Sequence, residues 1–201
     1  MNDNAQMVSP RLSQTPGKLR IVGGALRGSR IAVPDVPGLR PTPDRVRETL
    51  FNWLAPVIDG AQCLDLFAGT GALGIEALSR GAARADFVES DARLAALLRE
   101  NLARLKQNAH VHVADALRYL AQSASRHDLV FLDPPFAANA WTPIAQALEL
   151  HERLAATAWI YVESPSNATF DLPPNWRPHR EGRAGEVCYA LYRRAGPSAK
   201  L

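Results

Sequence analysis

The feature of the sequence that most constrains its fold is an alternation of strand-like and helix-like segments that begins near residue 62. Apolar runs such as QCLDLFA, ADFVES and DLVFLDPPF are separated by longer segments with apolar residues at helical spacing. This alternation predicts an α/β fold with a doubly wound, largely parallel sheet. Because ligands bind such sheets beyond the carboxyl ends of the strands, we expect Gly69, Glu89, Asp115 and Asp133 to line one crevice.

Two further segments precede this alternation. Residues 19–33 contain short strand-like pieces broken by glycines, which predicts a small hairpin that contributes little to the core. Residues 42–58 carry apolar side chains along one helical face. We expect Thr42 to be the N-cap of this helix and Pro43 to be its first residue.

The composition argues against several classes of protein. With 201 residues, of which 47% are hydrophobic, the chain suits one well-buried domain. Its two cysteines lie far apart, and His110 and His112 have no further ligand candidates nearby, so neither a disulfide framework nor a metal site is expected. No apolar run approaches the ~20 residues that span a bilayer. These features, and an N-terminus without the apolar core of a signal peptide, predict a cytoplasmic protein without membrane association.

The charge distribution indicates a possible partner. Residues 1–50 carry eight Lys and Arg against four Asp and Glu, and residues 176–201 carry six against two. Residues 51–175 carry nine against fourteen, so an acidic centre is flanked by basic ends. This pattern is typical of a catalytic core with edges that face nucleic acid, although an ordinary solvated surface explains the charges equally well.

The segment DLFAGTGALG carries the first chemical motif. Gly69, Gly71 and Gly74 follow a predicted strand with the spacing of a dinucleotide fingerprint, and Glu89 lies twenty residues after Gly69, where a ribose-binding acid is expected. Asp65 discriminates between ligands, because a carboxylate inside an apolar strand needs a cationic or donor-rich partner. A pyrophosphate would repel it, whereas the ammonium group of S-adenosylmethionine would suit it. The motif therefore favours S-adenosylmethionine over NAD.

Asp115 follows the next predicted strand, in the segment VADALRYL. Its carboxylate could accept a hydrogen bond from an adenine amino group, and the small residues Ala114 and Ala116 would leave room for the ring. A helix N-cap is the commoner use of an aspartate in this position. Both interpretations stay open.

A charge, two prolines and an aromatic ring end the buried segment DLVFL. Proline fixes φ and removes the backbone donor, so the carbonyl groups here stay free as acceptors. With the carboxylate of Asp133 they form an acceptor pair suited to the two hydrogens of an NH₂ group. Phe136 offers a flat face on which a base can stack. A plain strand-to-loop turn is the alternative interpretation.

Such an acceptor pair also suggests a reaction. An amino group conjugated to a base is a weak nucleophile, and holding both its hydrogens would localise the nitrogen lone pair towards a sulfonium methyl. Asp133 could then take the released proton. A base inside a helix cannot reach such a pocket, so the target must be unstacked or flipped out.

Four segments, DLFAGTGALGIEALSRGA, FVESD, FLDPPF and RPTPDRVRETLFNWL, together resemble the RsmD family of bacterial 16S rRNA guanine-N2 methyltransferases. The resemblance covers residues 18–194. It implies a class I S-adenosylmethionine-dependent methyltransferase fold, which is Rossmann-like with a mostly parallel seven-stranded sheet, and a small N-terminal β-hairpin. It also implies that the substrate is one guanine of 16S rRNA in the assembled or nearly assembled small ribosomal subunit.

The resemblance further implies roles for individual residues. The residues expected to bind the cofactor are Asp65, Phe67, Ala68, Gly69, Thr70, Gly71, Glu89, Asp115 and Ala116, with Thr42 and Arg45 closing the pocket. Asp133, Pro134 and Phe136 would bind and activate the guanine. Adenine and cytosine enzymes often carry Asn-Pro-Pro-Tyr where this chain has Asp-Pro-Pro-Phe. Those letters do not establish guanine, so the identity of the base depends on the resemblance.

The basic N-terminal segment is expected to contact RNA. Four arginines, Arg20, Arg27, Arg30 and Arg40, flank or lie within the predicted hairpin. Our hypothesis is that the hairpin is an RNA-facing arm whose arginines hold phosphates around the flipped guanine. The predicted organisation is a disordered tail (1–17), the hairpin extension (18–40), a monomeric catalytic domain (41–194) and a C-terminal tail (195–201).

The sequence leaves three alternatives open. An adenine-N6 methyltransferase acting on DNA or RNA would share every motif except the N-terminal one. An NAD-binding oxidoreductase would explain the glycine turn but would leave Asp65 and the segment 133–136 without a role. A non-catalytic ribosome-binding factor would tolerate the loss of Asp133.

Overall fold

The computed structural model describes residues 17–34, 36, 42–107 and 109–196. Residues 1–16 and 197–201, which are most of the two predicted tails (1–17 and 195–201), lie outside the described residues, as does Arg40. Gly17, the last residue of the predicted disordered tail, instead begins a strand. In the described ranges the chain forms nine strands, five α-helices and one short 3₁₀ helix. The same part of the chain contains no helix long and apolar enough to cross a membrane.

A seven-stranded sheet forms the centre of the fold. Its strands are β3 (Gln62–Asp65), β4 (Arg84–Glu89), β5 (His110–Val113), β6 (His127–Leu132), β7 (Leu154–Pro165), β8 (Trp176–Ala184) and β9 (Val187–Arg194). They lie in the order β5-β4-β3-β6-β7-β9-β8, and the first five of that order are parallel. β9 pairs antiparallel with both of its neighbours. The order reverses between β3 and β6, which makes this the switch point where such sheets bind ligands.

Helices cover both faces of the sheet. They are α1 (Asp44–Leu54), α2 (Ala72–Ser79), α3 (Ala92–Arg104), α4 (Ala116–Gln122) and α5 (Trp141–Leu150). One core cluster contains apolar residues of α1, α2 and α3, and the other contains those of α4 and α5. Within β6, Phe131 belongs to the first cluster and Val130 to the second, because successive side chains of a strand point to opposite faces. The predicted doubly wound α/β fold is confirmed.

The N-terminal hairpin is more firmly attached than the sequence predicted. It consists of β1 (Gly17–Arg20) and β2 (Arg30–Val33), which pair antiparallel. Leu19, Ile21 and Ile31 are buried in the same core cluster as α1, α2 and α3. The prediction that the hairpin contributes little core was therefore wrong. Its glycines hide the pattern, since they interrupt the run of residues in which alternation would otherwise be visible.

The start of α1 also differs from the prediction. Pro43 occupies the N-cap position and makes no side-chain cap, and the helix begins at Asp44. The Thr42 hydroxyl instead donates a hydrogen bond across the fold to Glu163, at 3.4 Å. The expected N-cap role of Thr42 was wrong because a buried carboxylate competes for its hydroxyl. The helix ends at Leu54, shortly before Pro56, which has no N–H for the next helical hydrogen bond.

β8 could not be recognised in the sequence. Its residues, WRPHREGRA, are mostly polar and exposed, so apolar alternation is absent. It is an edge strand, and its register with β9 shifts between Pro178 and Arg180. Proline is tolerated at an edge or a bulge because no ladder hydrogen bond is needed from its nitrogen.

Candidate active site

The carboxyl ends of four adjacent strands bring the predicted acidic residues to one edge of the sheet. Asp65 and Glu89 are the last residues of β3 and β4, and Asp115 and Asp133 follow β5 and β6 closely. Because these strands are parallel neighbours, their ends lie side by side. The crevice expected from the alternation therefore has its acidic residues along one line.

The turn between β3 and α2 requires glycine for two separate reasons. Gly69 and Gly71 have φ values of 52° and 79°, in the left-handed region that other residues rarely adopt. A Cβ at Gly71 would lie 2.4 Å from the Leu98 Cδ1, so the position also has no space for a side chain. Ala68 and Thr70 of the same turn are buried, and Phe67 is half-buried. The conformation of the turn after β3 therefore depends on glycine at both positions.

Asp65 has a backbone donor as its partner in the structure. Its carboxylate accepts a hydrogen bond from the Gly74 backbone N–H at 3.0 Å, near the start of α2. Burial raises the pKa of Asp65 to about 7, against the lowering effect of this hydrogen bond, and the charge of Glu89 raises it further. The carboxylate is therefore held in place but incompletely stabilised in its charged form, and a nearby cation would favour its ionisation.

Glu89 connects the glycine turn to the second strand. One of its carboxylate oxygens accepts a hydrogen bond from the Gly69 N–H at 2.8 Å, and the other accepts one from the Asp91 N–H at 2.8 Å. An ionised carboxylate has about four acceptor sites. Glu89 can thus position the turn and still accept hydrogen bonds from ligand hydroxyl groups.

Asp115 caps α4. Its side chain accepts a hydrogen bond from the Arg118 N–H at 3.2 Å, and the buried residue Ala116 begins the helix. Of the two interpretations that the sequence left open, the structure shows the N-cap. Binding of an adenine amino group by the same carboxylate stays a prediction.

Asp133 is half-buried at the switch point and accepts no hydrogen bond from the described residues. Burial raises its pKa well above the ordinary value, and the charges of Glu163 and Asp65 raise it further. Pro134 beside it is buried, whereas Phe136 is 42% exposed. The ring centroid of Phe136 lies 6.3 Å from that of Trp141, which stacks on Phe170 at 5.3 Å. An acceptor without a partner and an accessible ring therefore stand together.

A further acid, on the neighbouring strand, was not predicted. Glu163 of β7 is only 7% exposed, and its Oε2 accepts hydrogen bonds from the Tyr161 hydroxyl at 2.8 Å and the Thr42 hydroxyl at 3.4 Å. The signal was present in the letters YVESP, where an acid ends an apolar strand shortly before a proline. The segment FLDPP, from which Asp133 was predicted, has the same form.

The arginine of α1 that fixes the local packing is Arg47 rather than Arg45. Arg45 is exposed, while the Arg47 side chain is fully buried. Arg47 donates to the carbonyl oxygens of Thr42 and Arg20, at 3.2 and 2.7 Å, and so fixes the segment that carries Thr42. Position 47 falls on the apolar face of the predicted helix, and this placement was the signal in the sequence that Arg47 is buried. A role for Arg45 in closing the cofactor pocket stays a prediction.

The hairpin arginines lie on the surface. Arg20, Arg27 and Arg30 are exposed, and Arg20 lies 3.6 Å from Asp44 in a weak ion pair. Arg40 falls outside the described residues. The structure thus leaves the three described guanidinium groups accessible to a polyanion, and their contact with RNA stays a prediction.

The fold and this site together define a class I methyltransferase. Its features are the sheet order, the glycine turn after the central strand, the acid at the end of the next strand and the Asp-Pro-Pro-Phe segment at the switch point. Comparison with known proteins narrows this class. The family model described as "Conserved hypothetical protein 95" matches residues 19–193.

Named relatives identify the family. Ribosomal RNA small subunit methyltransferase D of Escherichia coli (strain K12) is 54% identical over 180 residues, which are 89% of this chain and 91% of the relative. The protein of the same name from Haemophilus influenzae is 43% identical, over 89% of this chain and 97% of its own. The solved structure of yhhF from Escherichia coli, described as a candidate methyltransferase, has a TM-score of 0.83 at 50% identity and covers 90% of this chain and 100% of its own. The chain belongs to the family of ribosomal RNA small subunit methyltransferase D, as the sequence motifs predicted.

Proposed function

We propose that this protein transfers a methyl group from S-adenosylmethionine to the exocyclic N2 amino group of one guanine in 16S rRNA. The names of its relatives from Escherichia coli and Haemophilus influenzae support the small-subunit RNA as substrate. The choice of guanine and of its N2 atom rests on the family resemblance and on the chemistry of the site. The single observation that carries the proposal is the carboxylate of Asp133, which is half-buried at the switch point without a hydrogen-bond donor in the described residues.

The residues around the glycine turn fit the cofactor. Gly69 and Gly71 hold the turn in a left-handed conformation, and a side chain at Gly71 would collide with the core residue Leu98, so the shape of the turn depends on glycine. Asp65 provides a buried carboxylate for the ammonium group, and Glu89 provides acceptors for the ribose hydroxyls. S-adenosylmethionine supplies a methyl group on a sulfonium sulfur, which is a good leaving group. Asp115 would accept a hydrogen bond from the adenine amino group while it caps α4.

The acceptor side of the site would activate the amino group. The Asp133 carboxylate and the backbone carbonyl of Pro134, which accepts no backbone hydrogen bond from the residues that the structure describes, can each accept one N–H of the guanine NH₂ group. Holding both hydrogens directs the nitrogen lone pair out of the ring plane and towards the methyl carbon. Attack on the methyl carbon would form the new C–N bond while the methyl–sulfur bond breaks and S-adenosylhomocysteine leaves as a neutral thioether. The nitrogen would then carry the positive charge until Asp133 or water takes one of its protons. The raised pKa of Asp133 favours this acceptance.

The surroundings of Asp133 would hold a flipped nucleotide. Phe136 offers its exposed face to the base, and base–aromatic stacking contributes about 1–3 kcal/mol. A groove of about 540 Å³ adjoins the end of β7, and Ser164, Phe170 and Tyr189 are among the residues that line it. It offers space for a neighbouring nucleotide. The hairpin arginines would hold phosphates of an assembled or nearly assembled small subunit, and we propose that the enzyme acts as a monomer.

The proposal is tested by incubating the protein with labelled S-adenosylmethionine and small subunits from cells that lack this methylation. Digestion of the RNA should give labelled N2-methylguanosine at a single position. Labelled N6-methyladenosine would instead support the adenine-N6 alternative. Incorporation of no label by a protein that still binds S-adenosylhomocysteine would contradict the proposed function.

A further inference from the structure

We infer that Glu163 determines the choice of base, by accepting the N1–H of the target guanine while Asp133 accepts from its N2 amino group. The inference rests on the proposed function and assigns Glu163 a role in substrate recognition. The two carboxylates would match two neighbouring donors on the edge of one base.

The register of β6 and β7 places Asp133 and Glu163 next to each other on one face of the sheet. Phe131 is paired with Tyr161 and Leu132, the last residue of β6, with Val162. Asp133 and Glu163 are the residues that follow these partners in the two segments, and the charge of Glu163 raises the pKa of Asp133, so the two carboxylates are near each other. The ring centroids of Phe131 and Tyr161 lie 6.3 Å apart, which puts both rings on the same face. Since side chains alternate along a strand, the residues two positions later return to that face. Neighbouring strands are about 4.8 Å apart, a distance that lets both carboxylates contact one base.

Glu163 is held in a fixed orientation but lacks a cationic partner in the described part of the chain. Its Oε2 accepts hydrogen bonds from Tyr161 and Thr42, which are both neutral hydroxyl groups. Within the described ranges, its Oε1 accepts no hydrogen bond and no Lys or Arg lies within ion-pair distance. Other buried acids, such as Glu76 and Asp86, do have arginine partners. A buried carboxylate without such a partner has the capacity to accept from a ligand.

The Watson–Crick edge of guanine fits this pair of acceptors. Guanine presents N1–H and the N2 amino group side by side, and both are donors. In adenine and cytosine the amino group instead adjoins a ring nitrogen that is an acceptor. Burial raises the pKa of Glu163, against the lowering effect of its hydrogen bonds from Tyr161 and Thr42. A donor such as the guanine N1–H favours the ionised form, and an ionised carboxylate only accepts hydrogen bonds. Ionised Glu163 would therefore attract the first arrangement and repel the second. Asp133 alone would grip any amino group, and Glu163 would supply the discrimination that the Asp-Pro-Pro-Phe letters lack.

The test combines one change in the protein with one change in the base. Small subunits are reconstituted with 16S rRNA that carries either guanine or 2-aminopurine at the methylated position. 2-Aminopurine keeps the N2 amino group, but its N1 is an acceptor. Because a hydrogen bond to a charged group contributes about 1.5–3 kcal/mol, the wild-type kcat/KM should favour guanine by about 10- to 100-fold. In Glu163→Gln, whose amide can also donate, this ratio should fall by at least about tenfold.

Each ratio is measured on one protein preparation, so a reduced fraction of folded protein cancels. The matched control is Glu186→Gln, which removes the charge of an exposed glutamate just before β9 and should leave the wild-type ratio unchanged. The inference is overturned if wild type uses both bases equally, or if Glu163→Gln lowers activity on both by the same factor. Either result would leave the proposed function intact. Absence of guanine methylation by wild type would instead refute the proposed function.

Discussion

Glu76 and Asp133 are acidic residues in two regions with opposite surroundings. Glu76, where the hairpin packs on α2, is fully buried and accepts hydrogen bonds from the backbone N–H groups of Val22 and Gly23 at 2.9 and 2.8 Å. Arg80 and Arg47 also donate to it, at 2.8 and 3.4 Å. Asp133, at the edge of the sheet, has no such donor among the described residues.

The difference separates structural charges from functional ones. A buried carboxylate that is surrounded by donors has its desolvation offset within the protein, and removal of such a partner is strongly destabilising. A carboxylate with a raised pKa and no donor is destabilising in the unliganded protein and is therefore a candidate for chemistry. On this basis we expect Glu76 to stabilise the attachment of the hairpin and Asp133 to act in the reaction.

The largest expected effect is that of Asp133→Ala on turnover. Removal of the acceptor for the amino group should lower kcat by about 10²–10⁴-fold, which is the range for loss of a general base. The affinity for S-adenosylhomocysteine should remain near wild type, since Asp133 faces the base. Methyl incorporation and calorimetry measure the two quantities. Methylation at a normal rate by Asp133→Ala would show that the activation scheme is wrong. The control is Phe136→Tyr, which keeps the aromatic ring and should retain substantial activity.

Glu76→Ala should instead lower the stability of the fold. The substitution leaves Arg47 buried without its acidic partner and removes the acceptor for two hairpin N–H groups, so the free energy of unfolding should fall by about 3–5 kcal/mol. Urea denaturation measures this change. Glu48→Ala, on the exposed side of α1, is the control and should change stability by no more than about 0.5 kcal/mol. If both variants unfold at the same urea concentration, Glu76 does not hold the hairpin.

Glu89→Ala should weaken cofactor binding. Without its charge-assisted hydrogen bonds to the ribose, the affinity for S-adenosylmethionine should fall by about 1.5–3 kcal/mol. Calorimetry with S-adenosylmethionine and, separately, with NAD tests this prediction. Wild type should bind the former and give no heat with the latter. Tight binding of NAD would overturn the cofactor assignment.

The pH dependence of stability should distinguish a paired acid from an unpaired one. Burial alone would raise the pKa of Asp86, but hydrogen bonds from His127 and Arg84 outweigh it and hold the pKa at about 2, below the ordinary 3.8. Its ionised form therefore stabilises the fold by about 2 kcal/mol above pH 4, and this contribution disappears as the pH falls from 4 to 2.

The ionisation of Asp65 should affect stability in the opposite direction from that of Asp86. Because its pKa is raised to about 7 in the folded state, its ionisation destabilises the cofactor-free protein as the pH rises from 4 to 7. Urea titrations of Asp86→Asn and Asp65→Asn, each compared with wild type across pH 2–8, measure both effects. Slopes of the same sign for the two acids would contradict the distinction between them.

The smallest expected effect concerns the RNA-facing surface. Replacement of both Arg27 and Arg30 by alanine should weaken binding of small subunits and flatten its log–log salt dependence by ~0.7–0.9 for each phosphate that the protein no longer binds. Both side chains are exposed, so the fold should be retained. Arg126→Ala, next to the amino end of β6, is the control and should leave the slope unchanged. If the double variant keeps both slope and affinity, these arginines are ordinary surface residues.

Features that depend on local order in the chain could be predicted from the sequence. The alternation of strands and helices, the glycine turn and the acids at strand ends are visible as letters, because parallel strands place their carboxyl ends together. The contacts of Thr42 with Glu163, of Arg47 with Glu76 and of Glu76 with the hairpin could not be predicted, since they join residues far apart in the chain. The Thr42–Glu163 hydrogen bond, for example, spans 121 residues.

The sequence analysis missed β8 and Glu163 for a different reason. β8 has no apolar periodicity because it is an edge strand whose side chains are mostly exposed on both faces. Glu163 lies at the end of a strand whose apolar residues dominate the pattern, and an acid in that position has the same form as Asp133. A comparison of the ends of all the predicted strands would have found it.

The position of β9 has a consequence for how the protein is made. β9 is the last described strand in chain order, yet it lies inside the sheet between β7 and β8. During translation β8 emerges earlier but has no strand to pair with until β9 follows it. Tyr189 of β9 is also the register partner of Glu163, so the strand that pairs with the Glu163 segment is added only at this late step. A nascent chain that stops before Val187 would therefore expose the unpaired edge of β7, which is a template for aggregation.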